Sequence, residues 1–268
     1  MKYQQILPSE QLQKYIRSFW IMEGSVSEVS TKTFKIIADG CPGLIFQENV
    51  NSCLDNNSNL LPQLFLHGLT TNHSEKTVKG NFRNISIHFK PTALKSFFGI
   101  DANELTDTYT DLNLACVSNV SEKLVNTTST ERRIEILTSF LIDNLKQNLK
   151  LKIEKTHYAL DLLYKENSIP ALQRIQSELN ISERSLERMF KQNIGISPKL
   201  FARIVRFQMS LNNLRNKDYL KLMDIVHKNN YADQSHYIRD FKQFAGVSPN
   251  QFIRQANEQV ENFPEWTF

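Results

Sequence analysis

Cysteine is scarce. The 268 residues hold three, Cys41, Cys53 and Cys116, oddly spaced and without a C-x-x-C pair. That excludes a disulfide framework and leaves reduced thiols buried as small hydrophobes. Glycine and proline number eight each, too few for a fibrous or low-complexity chain. Long apolar runs are also missing: LLPQLFL, from Leu60 to Leu66, falls far short of the ~20 residues a membrane helix needs. The opening MKYQQILPSEQLQKY has no apolar signal region. A cytoplasmic protein with no membrane partner is therefore expected. His67, His73 and His88 stand at no paired metal-ligand spacing and have no accompanying carboxylate, so no metal and no cofactor are expected. Cys41, in the loop Asp39-Gly40-Cys41-Pro42, has no neighbouring histidine and reads as a structural thiol rather than a nucleophile.

What is present describes a globular protein of about two domains, with 40% hydrophobic residues and seventeen phenylalanines. The formal net charge is only +4, but it is unevenly spread. From Arg184 to Arg254 there are thirteen Lys or Arg against five Asp or Glu, which leaves the remainder of the chain mildly acidic. A basic module attached to an acidic one fits a polyanion-binding part joined to a part with another role.

Strand signals fill the first 116 residues: Thr33 to Asp39, Gly43 to Gln47, Gln63 to Leu69 and Arg83 to Lys90, with a hairpin turn expected at Lys79-Gly80-Asn81. A short helix is expected after Pro91, burying Leu94, Phe97 and Phe98. Beyond a polar boundary at Ser118 to Thr130 the apolar period becomes helical, and Ser129 or Thr130 caps a helix reaching about Gln147. The fold class is α+β: a small β-rich barrel or sandwich, then an all-α part. The boundaries read as 1–116 for the β-rich domain, 117–154 for a helical connector, 155–258 for the helical domain and 259–268 for a tail.

The most informative feature lies in the helical part. RMFKQNIGISPKLFAR, from Arg188 to Arg203, recurs 51 positions later as RDFKQFAGVSPNQFIR, from Arg239 to Arg254, with nine of sixteen residues identical. One structural unit has been used twice. Each copy reads as helix, tight turn, helix. In the first, Ser168 and Pro170 open a helix ending at Leu179, Asn180-Ile181 turns, and Ser182 caps Glu183 to Asn193. In the second, Leu220 to Lys228 leads through Asn229-Asn230-Tyr231 to a helix capped by Asp233. Gly195 and Gly246 close the second helices. Leu186, Phe190 and Ile194, like Tyr237, Phe241 and Phe244, share inner faces. Arg184, Glu187, Arg188 and Lys191 form one outer face, and Gln234, Ser235, Arg239 and Lys242 the other. Arg, Gln and Asn on an exposed helix are the side chains that read base edges in the major groove.

Residues 155–258 resemble the DNA-binding domain of the AraC family of bacterial transcription regulators, most closely in YADQSHYIRDFKQFAGVSPNQFIR. The resemblance implies seven helices in two helix-turn-helix units joined by a long helix, here Pro198 to Asn213. It also implies base reading by Arg184, Glu187, Arg188, Gln234, Ser235 and Arg239. Lys191, Lys199, Arg203, Arg206, Lys242 and Arg254 are expected on phosphates. Asn180 and Asn230 replace the turn glycine, and Tyr231 the usual phenylalanine. SEQLQKYIRSFW, IIADGCPGLIFQ and FRNISIHFKPTALKSFFGI resemble the β-rich domain of one AraC subgroup, and since such domains in the wider family bind an effector, dimerise or both, this implies a ligand-responsive switch, with a small-molecule effector at that domain and a homodimer left open. The family resemblance as a whole implies promoter DNA and RNA polymerase as partners. A sequence-specific regulator that is not an enzyme is the expectation. The alternative is a DNA-modifying or sensor enzyme that borrows the helix-turn-helix module for targeting, although no nucleophile and base stand together in the sequence.

Overall fold

The computed structural model describes residues 2–26, 31–115, 119–148, 153–166 and 171–257. Ser168 and Pro170, Cys116 and the tail at 259–268 lie outside them. Among the described residues the first domain is built on nine strands: β1 (Lys2–Ile6), β2 (Ile16–Ser25), β3 (Thr31–Ile36), β4 (Gly43–Gln47), β5 (Cys53–Leu54), β6 (Leu64–His67), β7 (Ser74–Lys79), β8 (Asn81–Phe89) and β9 (Tyr109–Asp111). They form two antiparallel sheets, one of six strands in the order β1-β2-β8-β4-β6-β9 and one of three in the order β3-β7-β5. The sandwich-like reading of the sequence therefore holds.

Period-2 alternation decides which face each residue serves. Phe19, Ile21, Leu44, Phe46, Leu64, Leu66, Ile85, Ile87 and Phe89 leave one face of the large sheet and are buried. They pack under α1 (Ala93–Phe98), α3 (Val120–Val125) and α4 (Thr130–Gln147), whose Leu94, Phe97, Leu124, Leu137 and Leu141 complete that core. The short α2 (Leu112–Ala115) follows β9. Residues 120–147, expected as a connector, thus contribute side chains to the core of the β-rich domain. The alternate residues Trp20, Met22, Ile45, Phe65 and His88 face the small sheet across a cavity of about 110 Å³. Gly80, with φ of 61°, makes the turn expected there. The strands it joins enter different sheets, so the turn folds one sheet over the other and is not a hairpin.

Among the described residues seven helices follow: α5 (Glu154–Glu166), α6 (Ala171–Leu179), α7 (Glu183–Asn193), α8 (Pro198–Arg215), α9 (Leu222–Lys228), α10 (Gln234–Ala245) and α11 (Pro249–Asn257). Helix α8 buries eleven of its eighteen residues, because both helix pairs and the β-rich domain pack on it. Gln208 Nε2 donates to Ala38 O at 2.6 Å, and Ala38 N donates to Phe244 O at 2.9 Å. Ala38 and Leu69 are buried within the helical core itself. The seam also covers both repeat glycines. A methyl group on Gly195 would lie 2.7 Å from Thr106 Oγ1 and 3.0 Å from Ala102 O, and one on Gly246 would lie 2.6 Å from the His73 ring.

Both glycines also have positive φ, 107° and 75°, so alanine would be strained as well as crowded. Gly195→Ala and Gly246→Ala should each lower the free energy of urea unfolding by about 1–3 kcal/mol. Gly195→Ala should cost more, since its obstacle includes main chain rather than the tip of a side chain. Unchanged unfolding midpoints would contradict this account of the seam.

Candidate nucleic-acid interface

Each second helix of the repeat starts on a side-chain cap. Ser182 Oγ accepts from Ser185 N at 3.2 Å to open α7, and Asp233 Oδ1 accepts from His236 N at 2.7 Å to open α10. Asn180 and Asn230 take the left-handed turn conformation, with φ of 48° and 55°, that Asn tolerates better than other side chains. Leu186, Phe190 and Ile194 are buried on the inner face of α7, as are Tyr237, Phe241 and Phe244 on that of α10. Helix α8 meets both. Its Phe201 lies edge-on to Phe190 with centroids 6.1 Å apart, and its Phe207 lies 5.3 Å from both Phe241 and Phe244.

With the inner faces fixed, the opposite faces are fixed too. Arg184, Arg188 and Lys191 are exposed on α7 and Glu187 is half-buried beside them; Gln234, Ser235, Arg239 and Lys242 are exposed on α10. Lys199, near the start of α8, and Arg254, in the last turn of α11, are exposed as well. By repeat position Arg188 and Lys191 match Arg239 and Lys242, whereas Arg184 stands where the second copy has Ser235 and Glu187 where it has Ile238.

Two of the expected phosphate contacts are used otherwise. Arg206 is buried, its guanidinium 4.2 Å from the centroid of the Tyr231 ring. It donates to Asp240 Oδ2 at 3.1 Å and to His236 Nε2 at 3.1 Å. It cannot reach a phosphate from there. Arg203 is partly exposed but donates to Asp240 Oδ1 at 2.6 Å and to Gln243 Oε1 at 2.7 Å, over the Phe244 ring. The cause is Asp240, whose carboxylate is 1% exposed and needs cations beside it. Tyr237, Asp240, Phe241 and Phe244 share one helical face, so an acid on an apolar stripe was the signal that α8 must send arginines inward.

The β-rich domain touches the exit of each recognition helix. His73 N donates to Gln243 O at 3.1 Å, and Thr106 Oγ1 donates to Gly195 O at 2.9 Å. His67 and His88 line the inter-sheet cavity, where burial pushes them down to about 3 and about 4, so both are neutral near pH 7. Burial pushes the Cys41 thiol up to about 12, which leaves no thiolate for nucleophilic chemistry. Among the described residues no three His, Cys, Asp or Glu gather as a metal site, and no helix is long and apolar enough to cross a membrane.

Two capped recognition helices braced by one shared helix define a DNA-binding transcription regulator, here with a β-rich domain on its N-terminal side. Residues 175–255 match the family described as a helix-turn-helix domain, and residues 4–111 match a domain of unknown function, DUF6597. The C-terminal part of the chain thus matches a helix-turn-helix domain of the AraC type. Similar solved structures include ToxT from Vibrio cholerae, 14% identical over 89% of this chain and 98% of that one, with a TM-score of 0.49. Another is unsaturated fatty acid-bound ToxT from Vibrio cholerae strain SCE256, 14% identical over 88% and 94%, with a TM-score of 0.46. A third is the C-terminal domain of AraT, a response regulator from Geobacillus stearothermophilus, 26% identical over 44% and 94%, with a TM-score of 0.36. No curated protein matches the chain.

The buried network makes a prediction distinct from any DNA contact. Asp240→Asn should cost about 3–5 kcal/mol in chemical unfolding, because it leaves the buried Arg206 without its ion-pair partner. Arg188→Ala, on the exposed face, should stay within about 0.5 kcal/mol of the parent. Equal stabilities would show that Asp240 is not the anchor of α10.

Proposed function

We propose that α7 and α10 enter successive major grooves on one face of promoter DNA, with Arg184, Glu187, Arg188, Gln234, Ser235 and Arg239 at the base edges. The observation that carries this reading is the equivalence of Arg188 and Arg239, exposed on two helices that share α8 as their brace. Eighteen residues of α8 extend about 27 Å at 1.5 Å per residue, commensurate with the ~34 Å between successive major grooves. Lys191, Lys199, Lys242 and Arg254 then meet phosphates, which gives affinity a steep salt dependence. Because Arg184 and Glu187 have no like counterparts in Ser235 and Ile238, the operator is asymmetric and a single chain binds it in one direction. RNA polymerase and a second copy of the chain enter this reading through the family resemblance alone.

The same proposal gives the β-rich domain an effector. Its cavity of about 110 Å³ is smaller than the ~150 Å³ engineered cavities that take benzene, so the molecule proposed for it is a short-chain one, smaller than an aromatic ring with its substituent. Trp20, Met22, Phe34 and Phe65 supply apolar walls, and Lys76 lies 5.4 Å from the Phe65 ring centroid. Desolvation lowers the Lys76 ammonium from 10.5 to about 8. Asp39 lines the same cavity and favours the charged form of Lys76, and a ligand carboxylate beside the ammonium would favour it further, so a small apolar acid is the class proposed. Gln208, Leu211 and Arg215 of α8 line the cavity as well, so occupancy bears on the helix that braces both recognition helices.

Substituting both Arg188 and Arg239 by Ala should weaken operator binding by about 1–3 kcal/mol per lost bidentate contact and relax sequence preference at the matching positions. Unchanged binding in a fluorescence-anisotropy titration would reject the docking. The cavity has its own signature in pH. Since the unfolded chain keeps the Lys76 proton up to 10.5 and the folded chain releases it near 8, stability of the free protein should rise between those values. Affinity for butyrate should fall over the same range, and Lys76→Met should remove both trends. Acid binding that ignores Lys76→Met would place the ligand elsewhere.

A further inference from the structure

A second concavity, separate from the inter-sheet cavity, opens along the seam between the two domains. It encloses about 770 Å³. The β-rich domain contributes Lys14, Arg17 and Lys90 to its wall, and α5 contributes His157 and Asp161. Ile16, Leu160 and Met209 supply apolar lining. Thr92 Oγ1 and His157 Nε2, hydrogen-bonded at 2.9 Å, tie the two walls together.

Lys14, Arg17 and Lys90 line this cleft together with Asp161, while Glu154 acts on it from the start of α5 and the charge of Arg17 also acts on Asp39. Lys14 and Lys90 are both exposed, and among the described residues neither has an ion-pair partner within 4.0 Å. They also oppose their neighbours. Desolvation first, then the charge of Arg17, holds Lys90 below the ordinary lysine range; His157 is likewise lowered by desolvation and then by Lys14 and Lys90. Like charges gathered over apolar side chains raise the energy of the empty site, and an anion relieves both the repulsion and the apolar exposure at once.

We infer that this interdomain cleft binds a small organic anion, a carboxylate or phosphate held by Lys14, Arg17 and Lys90 with its apolar part over Ile16, Leu160 and Met209. Contact with DNA phosphates is the competing use of the same cations. The shape favours the small molecule, since a duplex backbone is met by cations on an open face, whereas these line a concavity with apolar walls. Because those walls come from both domains, the anion stabilises their present arrangement, and it does so independently of the inter-sheet cavity.

The test is calorimetric titration of the full chain with hexyl phosphate and hexanoate, with hexanol and inorganic phosphate as controls. Both amphipathic anions should bind and raise the melting temperature. Each control, lacking either charge or apolar body, should bind at least about tenfold more weakly, the equivalent of one lost 1.4 kcal/mol contribution. Lys14→Gln with Lys90→Gln, both at exposed positions, should weaken the anions about tenfold while leaving operator binding intact. Lys76→Met should leave hexyl phosphate binding at the cleft unchanged, which separates this site from the cavity: failure of the cavity reading would not touch it. Three results would overturn the proposal: no anion binding, anion binding indifferent to the double substitution, or loss of operator affinity as the sole effect of that substitution. The last would assign the cations to DNA.

Discussion

The hydrogen bonds through Ala38 are the constraint on which the rest of the molecule turns. One peptide carbonyl accepts from Gln208 of α8, and the amide of the same residue donates to the last turn of α10. A loop of the β-rich domain thereby supplies main-chain partners to two helices that would otherwise leave polar groups unpaired at a buried seam. Helix α8 then has no idle side. Phe201 holds α7, Phe207 holds α10, and Gln208, Leu211 and Arg215 reach the cavity. Any change in one of these contacts is a change in the frame that holds the others.

The two repeat copies are alike where they fold and unlike where they are supported. Both end in a glycine with positive φ, and both glycines are covered by the β-rich domain, one by Ala102 and Thr106 and the other by His73. The supports beneath them differ. In the first copy Asn193 donates to Thr156 on α5, a neutral buried contact of 2.6 Å. In the second the buried partner is Asp240, with two arginines from α8. The first unit is held largely by apolar packing, whereas the second depends on a charge network that tolerates little change in its members.

Much of this was legible in the residues. The repeat gave both helix-turn-helix units, their caps and their inner faces, because local signals such as Ser182, Asp233, Gly195 and Gly246 act within a few residues of where they stand. Strands β1, β2, β5, β7 and β9 were not read. Ser-Glu-Lys-Thr-Val-Lys in β7 buries only Val78, and β2 breaks its alternation at a bulge between Ile16 and Ser18. Pairing partners far away in sequence stabilise both. The inward turn of Arg206 escaped notice for the same reason: its partner, Asp240, is 34 residues distant. The clefts that suggest ligands lie between elements distant in sequence, and no local pattern marks them.

Ala38 and Leu69 belong to the strand-bearing domain by sequence but to the helical core by burial. The hydrophobic interior therefore does not divide where the chain does. Cutting the protein near residue 153 would leave the helical fragment with an apolar scar on α8 and two uncovered glycine turns, and such a fragment would tend to self-associate rather than behave as half of the parent. On heating, the two parts should lose structure in one cooperative transition, because neither can leave the other without opening its own core.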